Sequence, residues 1–171
     1  MENKIETLAD VKDESSLIPA SKNVKLLVKK VEVRETDKAG LLYDWRNLNV
    51  QFQLVDGIGE EGKFKNSNVF GSITYYVNPE GIAKKSGLAY GTQDYYKTRL
   101  SNLKMFVKAI GDDLGAVRLD EASMTEYVQA LSVGAVGKSV VANINVQAGK
   151  DGYPDSNEVK YYKAVSIEDS I

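Results

Sequence analysis

Asn23-Val24-Lys25-Leu26-Leu27-Val28-Lys29-Lys30-Val31-Glu32-Val33 carries a change of phase. Val24, Leu26 and Val28 occupy every second position, and Val31 and Val33 resume the alternation one residue late. Side chains in a strand alternate faces, so such a slip would carry the apolar set to the other side of the sheet. One extra residue bulged out of the ladder prevents that, and it bends and twists the strand. Asn23 to Thr36 is therefore read as a strongly bent strand, of the kind that curls a small sheet.

Reading outward, Asp37-Lys38-Ala39-Gly40 signals a turn. Leu42 to Val55 follows with the clearest alternation in the chain. Leu48, Val50, Phe52 and Leu54 point one way, and Asn47, Asn49, Gln51 and Gln53 the other. Tyr43 and Trp45 share the parity of the polar set. A Gly-rich connection, Asp56 to Gly62, leads to a third strand read as Phe64 to Val77. A long loop, Asn78 to Asp94, precedes a helix from about Tyr95 to Ile110 whose stripe is Tyr96, Leu100, Leu103, Val107 and Ile110. A shorter helix is expected from Ser123, where Ser123 and Glu126 have capping-box spacing, to near Leu131. Ser139 to Gln147 and Asn157 to Val165 read as the last two strands, joined by a loop from Ala148 to Ser156.

Three strands, a helical insertion and two strands is the element order of the five-stranded Greek-key barrel known as the OB-fold. The expected fold is thus mainly β with α: an OB-fold-like barrel with helices between strands three and four. Residues 1–21 are expected to form an acidic, partly disordered arm, 22–166 the OB-fold-like domain and 167–171 a short acidic tip.

A chain of 171 residues fits one domain, and its 43% hydrophobic and 27% charged residues are ordinary for a globular protein. It contains neither Cys nor His. Disulfides, thiolate or imidazole zinc sites, and Ser-His-Asp or Cys-His catalysis are thereby excluded. No apolar run approaches a membrane span, and a cytoplasmic location without membrane association is expected. No cofactor is expected. Residues 1–16 carry a net −3 and the last six residues −2, leaving +3 for the body from Leu17 to Val165. Single-strand binders need a local basic groove rather than a basic total.

In an OB barrel, ligands meet strands two and three and the loops joining strands one–two and four–five. The candidates there are stacking aromatics and phosphate-binding cations. Tyr43, Trp45, and Tyr75 or Tyr153 would stack bases. Lys38, Arg46, Lys84 and Lys85 would contact phosphates, and Asn47, Asn49 and Gln51 would supply adaptable hydrogen bonds. The competing reading makes Trp45 a core residue at a strand end and the amides ordinary surface. Pro154-Asp155-Ser156-Asn157-Glu158-Val159-Lys160 spells a nuclease-like PD-x-E-x-K pattern. Its two acids sit too close together to come from neighbouring strands, so no metal site and no enzyme is expected.

From about Asn23 to Ser166 the chain resembles phage-encoded single-stranded-DNA-binding proteins of the OB-fold type. The resemblance rests on the Val24 to Val33 strand, Leu48-Asn49-Val50-Gln51-Phe52 leading to Asp56-Gly57, and Gly62-Lys63. It also includes the helix Leu103 to Gly111, Gly137-Lys138-Ser139-Val140 and Asn157-Glu158-Val159-Lys160-Tyr161-Tyr162. It implies non-catalytic coating of single-stranded DNA in phage replication or recombination, in the cytoplasm of an infected cell. It is compatible with self-association, and with recruitment of replication or recombination proteins through the tip, Ile167 to Ile171. The Asn78 to Asp94 loop is longer and the tip less acidic than that family leads one to expect. The alternative from another class is a phage structural, assembly or adaptor protein whose barrel binds protein.

Overall fold

In the computed structural model, which describes residues 17–36, 42–59, 61–112 and 117–165, the phase slip of the first strand is a bulge. Strand β1 (Ser21–Thr36) pairs Val28 with Phe52 and then Lys30 with Gln51 of β2 (Leu42–Leu54), leaving Lys29 as the extra residue. Val24, Leu26, Val28 and Val31 are consequently all buried. Leu48, Val50, Phe52 and Leu54 of β2 fill the same core, as their alternation requires.

The third strand, β3 (Asn68–Val77), begins four residues later than the alternation suggests. Phe64 and Asn66 adopt positive φ, and tight turns bond Lys65 N–H to Gly62 O and Ser67 N–H to Phe64 O. Two left-handed residues in successive tight turns take the backbone out of the ladder here. Strands β4 (Ser139–Gln147) and β5 (Ser156–Ala164) complete an antiparallel five-stranded sheet in the order β3-β2-β1-β4-β5. The sheet is open: among the described residues no ladder joins its edges β3 and β5. The edges nonetheless approach each other. A Cβ on Gly71 of β3 would lie 2.9 Å from the Tyr162 hydroxyl and 3.5 Å from Val159 Cβ, both on β5.

The helices lie between β3 and β4 in the chain. The single helix expected from Tyr95 to Ile110 is two, α1 (Tyr95–Thr98) and α2 (Ser101–Ala109). Leu100 N–H bonds three residues back to Lys97 O, and this tighter turn separates them. Helix α3 (Glu121–Gly134) starts earlier than its capping-box spacing implies. Its N-cap is Asp120, which accepts the Ser123 N–H and the Ser123 hydroxyl, each at 2.9 Å. The Ser123 backbone bond, with the hydroxyl, holds the Asp120 carboxyl below its ordinary pKa. The helix runs past Leu131 because Leu131 and Ala135 both still face the core.

Helix α2 covers the inner side of the curled sheet. Phe106 meets Phe52 and Tyr162 at ring-centroid distances of 6.2 and 5.2 Å, and Phe52 meets Tyr162 at 5.8 Å. Ile18, upstream of β1, is also buried. Its N–H donates to Asn157 Oδ1 at 2.9 Å, and Asn157 Nδ2 donates to Ile18 O at 2.7 Å. A second apolar cluster unites Val77, Ala83 and Tyr90 with Trp45, Tyr96 and Leu100. The long loop supplies part of it and is itself folded. Ala83 N–H bonds Leu88 O, Tyr90 N–H bonds Gly81 O, and Asn78 N–H bonds Asp44 O on β2. Among the described residues, no helix is long and apolar enough to cross a membrane.

Candidate functional site

The face of β1, β2 and β3 turned away from the core is built by the same alternation that fills the core. Cross-strand register arranges it in rows: Arg34, Asn47 and Thr74; then Glu32, Asn49 and Ser72; then Lys30, Gln51 and Phe70. Successive rows lie about 7 Å apart, two residues along a strand. Thr74 donates its hydroxyl to Asn47 Oδ1 at 2.9 Å, tying β3 to β2 on this face. Phe70 is 60% exposed. It is a large aromatic side chain standing open in a field of amides and hydroxyls. Lys30 and Arg34 outnumber Glu32, so the face is mildly basic. A separate cavity of about 600 Å³ near the start of β1 and the Gly57–Gly59 turn is lined by Lys22, Lys25, Lys163 and Asp56.

The expected site residues scatter over several environments. Asn47, Asn49 and Gln51 stand on this face, partly exposed, as read. Trp45 is on it too, but packs edge-to-face with Tyr90 at 5.3 Å and carries the Arg99 guanidinium over its ring at 3.8 Å. A base stacking on that side of the indole has to displace Arg99. The Trp45 Nε1 is buried with no hydrogen-bond partner among the described residues. Arg46 is 6% exposed because the parity that puts Trp45 and Asn47 outside puts Arg46 inside. There it pairs with Glu121 at 2.7 Å, beneath the N-terminal turn of α3, and stacks 5.3 Å from the Tyr76 ring. No phosphate reaches it there.

Tyr75 requires the same correction. It is fully buried with its hydroxyl donating to Arg34 O at 3.2 Å, so it has no surface on which a base could stack. Lys84 and Lys85 are exposed at the tip of the folded 78–94 loop, and Tyr153 is exposed in the β4–β5 loop. Lys38, the side chain of Tyr43 and the tip from Ile167 to Ile171 lie outside the described residues, as does most of the N-terminal arm.

The residues sequence reasoning passed over are Phe70, Lys30, Arg34 and Tyr161. Phe70 alternates with buried Val69 and Gly71, a legible signal, but its place beside Gln51 depends on a strand register set by the turn. Tyr161 is 53% exposed at φ +60°. It occupies a bulge of β5, since Val141 pairs with Lys163 and Asn143 with Lys160. The bulge turns Tyr161 outward and Tyr162 inward. Burial pushes the Tyr162 phenol well above its ordinary pKa, and burial with Glu121 nearby raises that of Tyr76.

The nuclease-like letters have structural uses. Asp155 Oδ1 accepts the Gly149 N–H at 2.9 Å, and Glu158 pairs with Lys160 at 3.0 Å. Among the described residues, no group of three or more His, Cys, Asp or Glu could hold a metal ion. No family model matches the chain, and no curated protein matches its sequence.

Proposed function

We propose that the chain is a non-catalytic single-stranded-DNA-binding protein of OB-fold type. In this reading bases stack on Phe70 and find hydrogen bonds at Asn47, Asn49 and Gln51, while Lys30, Arg34 and the exposed Lys84 and Lys85 meet phosphates. The observation that carries it is Phe70 standing open on an amide-rich, mildly basic sheet face. Stacking is sequence-tolerant because every base offers a π-face. The fold supports the reading in three ways. Strand β1 pairs with both β2 and β4, the β3 and β5 edges face each other, and the helices sit between β3 and β4. The setting that the resemblance suggests is phage replication or recombination.

The test is fluorescence-anisotropy titration of labelled oligo(dT) at low and high salt. Expected is saturable binding that weakens linearly in log–log coordinates as counterions return. Absence of binding at low salt by the folded protein overturns the reading.

One observation favours a second reading, an assembly or adaptor protein that binds protein. A groove of about 560 Å³ between α2 and α3 is lined by Leu100, Leu103, Val107, Leu119 and Met124. A salt-insensitive protein complex formed without affinity for oligonucleotides would select it.

A further inference from the structure

Where β3 and β5 approach without pairing, helix α2 and the two edges enclose a cleft of about 330 Å³. Ser72 and Thr74 line it from β3, Arg99, Ser101 and Asn102 from the helical side, and Tyr161 from β5. Ser72 and Thr74 also belong to the open face, in register with Asn49 and Asn47. The face and the cleft are therefore one continuous surface. Ser72, Ser101 and Asn102 spend no side-chain hydrogen bond on the described residues. Hydroxyls and an amide provide donors and acceptors together, as the edge of a nucleobase demands.

Tyr161 adds an independent observation. The left-handed position of such a bulge belongs ordinarily to glycine, and a bulky side chain there is strained. Strain of this kind collects where geometry serves a ligand. The bulge holds the ring at the mouth of the cleft instead of in the core.

We infer that this cleft receives one nucleobase lifted from the strand on the open face, stacked on Tyr161 and read at its edge by Ser72, Ser101 and Asn102. Arg99, on the same wall, meets the adjoining phosphate. A binder that is otherwise indifferent to sequence acquires a base preference at one position. This inference rests on the single-strand reading above.

The experiment compares equal-length homopolymers of dT, dC and dA with the wild-type protein, Tyr161→Gly and Asn102→Ala. Glycine removes the ring while relaxing the backbone, so Tyr161→Gly melts no lower than wild type and its binding is interpretable. Expected is a wild-type spread of roughly 5-fold or more between the best and worst homopolymer, the size of one stacked and hydrogen-bonded base. Both variants should compress that spread to about 2-fold and keep the salt dependence. A wild type without spread, or a spread unchanged in both variants, overturns the cleft while leaving single-strand binding intact. No salt-sensitive binding to any homopolymer overturns both.

Discussion

Truncating Phe70 separates stacking from folding, because the two effects differ in size. Phe70 is 60% exposed, so about two-fifths of its surface is covered. Full burial of a Phe is worth about 1.5–3 kcal/mol, and the covered part therefore limits the stability cost of Phe70→Ala to roughly 1 kcal/mol. A core counterpart, Phe52→Ala, loses about 3–5 kcal/mol. A stacked base contributes about 1–3 kcal/mol, so Phe70→Ala should raise the dissociation constant for oligo(dT) roughly 5- to 150-fold. The slope of log affinity against log salt should stay the same, since Phe70 touches no phosphate. Lys30→Ala should instead flatten that slope by about 0.7, the value of one phosphate on a single strand. The assay is anisotropy titration over a salt series, with thermal melting of each variant alongside. Unchanged affinity in a folded Phe70→Ala protein refutes the stacking platform. A melting loss as large as that of Phe52→Ala refutes the exposed placement.

Arg46→Ala should cost roughly 1–3 kcal/mol in chemical denaturation, through lost packing of its buried stem and of its stack on Tyr76, the half-exposed Glu121 being left to water, while oligo(dT) affinity stays unchanged. Weakened binding with unaltered stability would restore Arg46 to the interface. Gly71→Ala should lose about 1–3 kcal/mol, because its Cβ would meet the buried Tyr162 hydroxyl at 2.9 Å and Phe52 Cε2 at 3.1 Å; a neutral result would mean that β3 and β5 do not approach at that point. Tyr162 has its folded-state pKa raised above the ordinary value of 10.0. Its contribution to stability is therefore complete below pH 10 and is lost as pH climbs from there toward the folded-state value. Denaturation midpoints across alkaline pH should fall above about pH 10, and Tyr162→Phe should flatten that fall; an identical profile in the variant would place the phenol in solvent.

The parts of the fold written in periodicity were legible. The slip between Val28 and Val31 is visible because valines stand on both sides of it, and the amides of β2 are visible because each is flanked by an apolar neighbour. The matching slip in β5 was hidden. Tyr161 and Tyr162 are the same residue type, and nothing in the letters says which of two adjacent tyrosines enters the core. Arg46 was misplaced because nearness in sequence to Trp45 and Asn47 was taken for nearness in space, whereas its parity alone points inward. Tyr75 was misplaced because Tyr75, Tyr76 and Val77 are all buried, and a run of three erases alternation. Ser123 carries the spacing of a cap, but Asp120 three residues upstream accepts both its N–H and its hydroxyl, so the helix starts there and Ser123 becomes part of its first turn.

The bulge at Tyr161 bears also on what an outer strand of the sheet offers to another chain. The outer strands β3 and β5 each present a row of backbone groups that another extended chain could pair with, the geometry from which ordered aggregates grow. Strand β5 interrupts that row with its kink and flanks it with Lys160 and Lys163; β3 interrupts its own where Arg46 pairs with Tyr76 and Asn47 with Thr74, leaving Tyr75 unmatched. Deleting Tyr161 would straighten β5 into a regular ladder edge, with Tyr162 set opposite buried Ala142 and still on the core side. Such a chain would trade a strained edge for a template, and its solubility, rather than its melting point, would register the loss first.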